Sequence, residues 1–275
     1  MKKINYFFHL FAVLGTGSLL FSCRPTYLGA ALNGNDMSYW AKPVSQDSAK
    51  LSATYASGGL VSNGGFQGQD RMLMAQSSVY RSHTSQFTNF NYGALLYGGS
   101  YSVGTSRLPL DKFNGEYGFY GYGLRSSFNI NVPSKIVDFR IIGLDMAYSK
   151  EMGSFSNLRT NVPNYPSKAD TLGNNGYNYN DFIPIRSPDM FTWGFTSELA
   201  FKGNNNQQLI LRYFLGRSEN GYERIYRNRF FHLGNITLAY QNNRFTSFGQ
   251  LAQLFTRPTI NFGLSYRVGK VKIRR

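Results

Sequence analysis

The sequence predicts an all-β fold: an antiparallel transmembrane β-barrel of about ten strands, with eight as the fallback. Three observations carry this. Aromatic residues make up 16% of the chain, with 20 Tyr and 23 Phe, beside 29 Gly and only 16% charged residues, which is strand and turn material. Long segments alternate strictly between apolar and small polar residues, the period of a strand with two different faces. The connectors between those segments alternate between long and short, as in outer-membrane-type barrels. After the N-terminal leader no segment approaches the ~20 consecutive apolar residues of a membrane helix, and the mean hydropathy is −0.33. A barrel escapes both of those tests, because only every second residue of its strands meets lipid.

Taken in chain order, Lys2 and Lys3 precede an apolar run from Tyr6 to Phe21, the charged-then-apolar order of a secretory leader. The run closes on "LLFSCRPT" and on Cys23, the only cysteine, which rules out an intramolecular disulfide and, without further ligands, a structural zinc site. Residues 1–22 read as a signal peptide and 23–49 as a periplasmic tether, with an apolar patch at Tyr27, Leu28 and Trp40.

The barrel is expected over residues 50–268, with strands near 50–60, 71–82, 90–104, 117–132, 136–149, 190–202, 207–216, 229–241, 245–254 and 259–268. In "YGYGLRSSFNINV" the even positions Tyr120, Tyr122, Leu124, Phe128, Ile130 and Val132 are apolar, Ser126 being the exception, and the odd positions are small or polar. "FTWGFTSELAF" and "TINFGLSYRV" repeat the pattern from Phe191 and Ile260. In the fifth strand the phase changes, from Val137, Phe139 and Ile141 to Ile142, Leu144, Met146 and Tyr148, which predicts a bulge near Gly143. The ninth alternates poorly.

The faces are assigned by their chemistry. A soluble barrel would turn a charged face to water, whereas the polar face here is mostly Gly, Ser, Thr and Asn with isolated charges, which suits a narrow lumen. Arg125, Glu198 and Arg212 lie on polar faces near mid-strand, so they are expected in the lumen, with Glu198 bridging at least one of the two arginines and plugging the barrel. A barrel of this size is filled largely by side chains. The long connectors, above all the Asn-, Pro-, Tyr- and Gly-rich segment from Lys150 to Asp189, fall at one end. Short ones such as "VPSK", "KGNNNQ" and "QNNR" fall at the other, placing both termini of the barrel in the periplasm.

The leader ending Leu20-Phe21-Ser22-Cys23 resembles the lipobox of bacterial lipoproteins, in which the leader is cut before a cysteine that receives a diacylglycerol. With the alternating strands, the whole chain resembles a lipid-anchored outer-membrane β-barrel protein of Gram-negative bacteria. That resemblance implies lipid attachment at Cys23. Arg24, Pro25, Thr26 and Tyr27 offer none of the acidic residues that direct some lipoproteins to the cell surface, so the lipid is expected in the inner leaflet.

The formal net charge is +15. Secretion and the lack of a nucleic-acid motif argue against nucleic acid as the partner, and anionic lipid headgroups suit the charge better. Arg217, Arg224, Arg227 and Arg229 cluster where lipopolysaccharide phosphates would lie, and residues 269–275 form a basic tail. Beyond the leader only His83 and His232 remain for acid–base work, one in a short turn and one on a lipid-facing row, so neither a catalytic site nor a metal or cofactor is expected. The function expected is that of a non-catalytic scaffold or accessory subunit of an envelope assembly, secretion or uptake complex, with outer-membrane or periplasmic protein partners and outer-membrane lipid around it. A small-solute channel is the alternative.

Overall fold

A computed structural model describes residues 37–43, 50–64, 71–104, 113–161, 186–203, 207–219, 233–254 and 257–274. The leader, Cys23, Arg224, Arg227, Arg229 and His232 lie outside the described residues. Ten strands form one sheet: β1 (Lys50–Gly64), β2 (Arg71–Thr84), β3 (Thr88–Val103), β4 (Gly115–Val132), β5 (Val137–Met152), β6 (Asp189–Lys202), β7 (Gln207–Glu219), β8 (Leu233–Asn242), β9 (Phe245–Leu254) and β10 (Arg257–Arg274). Each pairs antiparallel with its neighbours in sequence, and β1 pairs with β10, so the barrel closes and leaves no edge strand. Among the described residues a single helix, α1 (Ser154–Asn161), follows β5.

The pattern that predicts the strands also sets their faces. On β4 the exposed residues include Tyr120, Tyr122, Leu124, Phe128, Ile130 and Val132, while Arg125, Ser127, Asn129 and Asn131 are buried inside. Leu96, Ile142, Phe195, Leu238 and Leu264 continue this apolar exterior around other strands. A water-soluble monomer exposes contiguous apolar patches of only a few hundred Å². Strands of 10 to 18 residues also match or exceed the ~9–11 residues of a tilted transmembrane strand.

The bulge in β5 lies where the phase change places it. Register shifts between Arg140 and Gly143 against β6, and Ile141 and Ile142 in succession are both exposed. A Cβ on Gly143 would strike the side chains of Asn129 and Thr196, so the residue there has to be glycine for the strand to resume inside. β9 reads poorly because its large residue points inward: Phe248 is buried, and its outward Gly249 lies under the Phe262 ring of β10.

Several boundaries differ from the sequence expectation, β1 and β7 for example running on to Gly64 and Glu219, and three differences change the reading. β10 does not end at Val268 but runs to Arg274, pairing with Lys50 to Ser52 of β1, so most of the expected basic tail is strand. The shift in register between Ser52 and Thr54, together with Gly269 at φ +77°, breaks the alternation and hides this extension. β5 continues through Met152, Gly153 turns the chain at φ +111°, and α1 follows, all within the stretch expected as loop from Lys150. His83 lies in β2 rather than in a turn, its ring stacked on Tyr92 at 5.8 Å. The connectors of β2–β3, β4–β5, β6–β7 and β8–β9 are short and share one end, called the lower end here; the N-terminus of β1 and the C-terminus of β10 share it.

Candidate functional site: the occupied lumen

The lumen is filled. Residues 37–43, part of the segment expected to be a tether outside the barrel, are all buried and form an irregular strap within it. A strap without a strand partner has to place its backbone polar groups on side chains, and the barrel wall supplies them. Tyr80 accepts a hydrogen bond from the Ala41 amide at 2.6 Å. Gln241 Nε2 donates to the Lys42 carbonyl at 3.0 Å, and Gln250 Nε2 and Arg212 Nη1 donate to the Met37 carbonyl at 3.3 and 3.4 Å. Arg125 donates to the Ser38 carbonyl.

Two walls grip the strap differently. On one side Trp40 stacks on Tyr80, centroids 4.5 Å apart and planes 2° from parallel, Tyr55 stacks behind Tyr80 at 5.3 Å, and Tyr39 meets Phe248 at 5.9 Å. Such aromatic pairs contribute roughly 0.5–1.5 kcal/mol beyond the area they bury. On the other side the wall from β4 to β7 carries ions. Lys42 Nζ lies 2.5 Å from Glu198 Oε2, and Arg140 pairs with the other oxygen of the same carboxylate. Arg125 and Arg212 both meet Asp145 Oδ2, at 2.7 and 2.6 Å. Arg125 also covers the Trp40 ring at 4.6 Å, joining the two walls across the strap.

The structure buries Arg125, Glu198 and Arg212 inside the barrel and pairs them differently from the expectation that Glu198 bridges one of the two arginines. Glu198 and Arg212 are cross-strand partners, yet Glu198 serves Lys42 and Arg140, and it is Asp145 that gathers the two arginines. The reason is the strap: it brings Lys42, a cation from outside the sheet, to the carboxylate. Arg140 is itself the cross-strand partner of Glu198 on the other side of β6, and Asp145 faces Gly194 across the β5–β6 ladder. Charges so buried cost several kcal/mol each unless paired, and this cluster pairs them.

Above the strap the lumen becomes apolar. Met37, Val61, Met72, Met74, Tyr101, Phe119 and Met190 belong to one buried cluster with Phe155 and Leu158 of α1. The Phe155 ring stacks on Tyr101 at 4.2 Å, and Arg159 of the helix pairs with Glu151 at 2.5 Å, both fully buried. The helix packs into that end from inside. This corrects the expectation of a lumen lined by small polar residues throughout.

Of the expected lipopolysaccharide contacts only Arg217 is described; it is half-buried near the upper end of β7, where its Nε lies 2.8 Å from Glu219 Oε1. Among the described residues no group of three or more His, Cys, Asp or Glu could hold a metal ion.

The class that fold and lumen define is a closed ten-strand antiparallel barrel with an apolar exterior and an interior occupied by its own chain. No family model matches the sequence, and no curated protein matches it. Among solved structures it is similar to the β domain of the Bordetella autotransporter BrkA, with 7% identity and a TM-score of 0.44 over 78% of this chain and 98% of that one. It is similar also to the Pseudomonas putida toluene transporter TodX (10%, TM-score 0.33, 90% and 73%) and to the KdgM porin (10%, TM-score 0.26, 79% and 99%). These likenesses are too slight to argue from; the barrel stands on its own strand pairing.

Proposed function

We propose that the chain is an outer-membrane β-barrel, anchored additionally by lipid at Cys23, with the lower end in the periplasm, and that it serves without catalysis as a scaffold or accessory subunit of an envelope assembly, secretion or uptake complex. The outward apolar rows and the strand lengths support the membrane setting. The observation that carries the scaffold reading is the strap: among the described residues the mid-height charges of the lumen are engaged by the chain itself and its upper half is apolar core, which favours a plugged barrel over an open path. Protein partners would meet the lips and the long connectors, and lipopolysaccharide would meet Arg217, Arg224, Arg227 and Arg229. Purification in mild detergent tests this through what co-elutes. A stoichiometric envelope protein, together with silence of the purified barrel in planar bilayers, is the expected result. Large, steady conductance from the wild-type protein would replace the scaffold by a small-solute channel. Mass spectrometry of the mature protein tests the anchor: an unmodified thiol at Cys23 would remove it.

A further inference from the structure

The charges on the outside of the barrel are segregated by end. At the lower end Lys50, Lys135, Arg244 and Lys270 are exposed and Arg81 and Lys202 half-buried. Among the described residues of that end the single carboxylate is Asp138, buried and held by Lys202 at 2.7 Å. The upper end is mixed, with Glu116, Asp189 and Glu219 beside Arg71, Lys150 and Arg217. A ring of one sign around one mouth creates a field that a solvated face of mixed charge does not.

The cations are also set against apolar side chains that face the same way. Arg81 is the cross-strand partner of Tyr92, which is exposed. Arg244 Nη1 donates to the Tyr266 hydroxyl at 3.5 Å, and the Tyr266 ring lies 5.0 Å from Phe245. Lys135 adjoins Ile136, which is 70% exposed at the tip of its turn. Lys270, itself exposed, comes two residues after exposed Val268. Arg81, Lys135, Arg244 and Lys270 thus stand at the border of an apolar row. A ligand complementary to that border is anionic at its head and alkyl in its body, and the long aliphatic stems of Lys and Arg can lie along the alkyl part while the charge reaches the head.

We infer that the lower rim is a binding surface for anionic glycerophospholipid, whose phosphodiester is held by the ring of Lys135, Arg244, Lys270 and their neighbours and whose acyl chains lie on the apolar rows above. An acidic protein would match the charge but not the apolar border. The inference rests on the membrane-barrel reading and adds the headgroup chemistry of one leaflet to it.

The test uses the full-length protein in a non-ionic detergent, titrated with phosphatidylglycerol and with phosphatidylcholine of the same chains and read by native mass spectrometry. The expected result is preferential retention of phosphatidylglycerol, weakened by salt as surface charge interactions are. The variant Lys135→Gln/Arg244→Gln/Lys270→Gln, in exposed positions away from the lumen, should keep its β circular dichroism and lose at least about fivefold of that preference, the equivalent of one headgroup-facing cation. Equal retention of the two lipids by folded wild type, or an undiminished preference in the folded variant, would overturn the inference and leave the barrel reading standing. Displacement of phosphatidylglycerol by inorganic phosphate alone at equal concentration would overturn it too, showing a free-anion site with no part for the chains. A wild-type protein with no β structure in detergent would defeat both readings.

Discussion

The two halves of the lumen solve the same problem with opposite chemistry. The lower half is filled by a strap whose ions and carbonyls are matched to Arg, Lys, Asp, Glu and Gln side chains. The upper half is filled by sulfur, aromatic rings and a short helix. The polar half tolerates the loss of one partner badly, because the remaining charge stays buried. The apolar half tolerates loss in proportion to the cavity left. Interior chemistry thus determines which substitutions are severe, although the wall around both halves is the same sheet.

The sharpest way to break this comparison is Asp145→Ala, which strands Arg125 and Arg212 together. It should destabilise the barrel by about 3–5 kcal/mol, read as a lower urea midpoint in the unfolding of the detergent-solubilised protein. An effect below that of an apolar truncation would mean that water enters the lower lumen and hydrates the arginines. Next comes Phe155→Ala in the upper half, expected to cost about 3 kcal/mol by cavity formation and to release α1, so that proteolysis after β5 accelerates. Unchanged proteolysis there would show that Arg159 and Glu151 hold the helix alone. The smallest effect belongs to Lys42→Ala, since Glu198 keeps Arg140. A loss of about 1–2 kcal/mol is expected, and a loss as large as that of Asp145→Ala would show the strap, rather than the wall, to be the main support of the charge cluster.

How much of this could be read in the sequence varies with how regular the backbone is. All ten strands were legible, because a period of two survives wherever one face meets an apolar surface. The bulge in β5 was legible as a change of phase, and so were Arg125, Glu198 and Arg212 as lumen residues. Arg140 and Asp145 carried the same signal on either side of the bulge, each out of phase with the apolar residues of its own half-strand. They become visible as inward charges once the two halves of β5 are read separately. Lys42 carried none, because an irregular strap has no periodicity from which to infer a direction. The upper lumen was hidden for a different reason: in "RMLMAQ" both faces of β2 are apolar, Met72 and Met74 inward and Leu73 outward, so alternation cannot separate a wall facing a core from a wall facing lipid.

The place of the strap in the chain constrains the order of assembly. It precedes β1, and the barrel's seam joins β1 to β10, the first strand to the last. Gln250, which binds the Met37 carbonyl, is 213 residues away in sequence. A segment so enclosed either lies against the open sheet before the seam forms or enters afterwards through the lower mouth, past Lys50. The first route makes the strap a template on which β4 to β9 gather their ions and glutamines. It also leaves seam closure as a late step that waits on contacts of very long sequence separation, the class of contact that slows folding most.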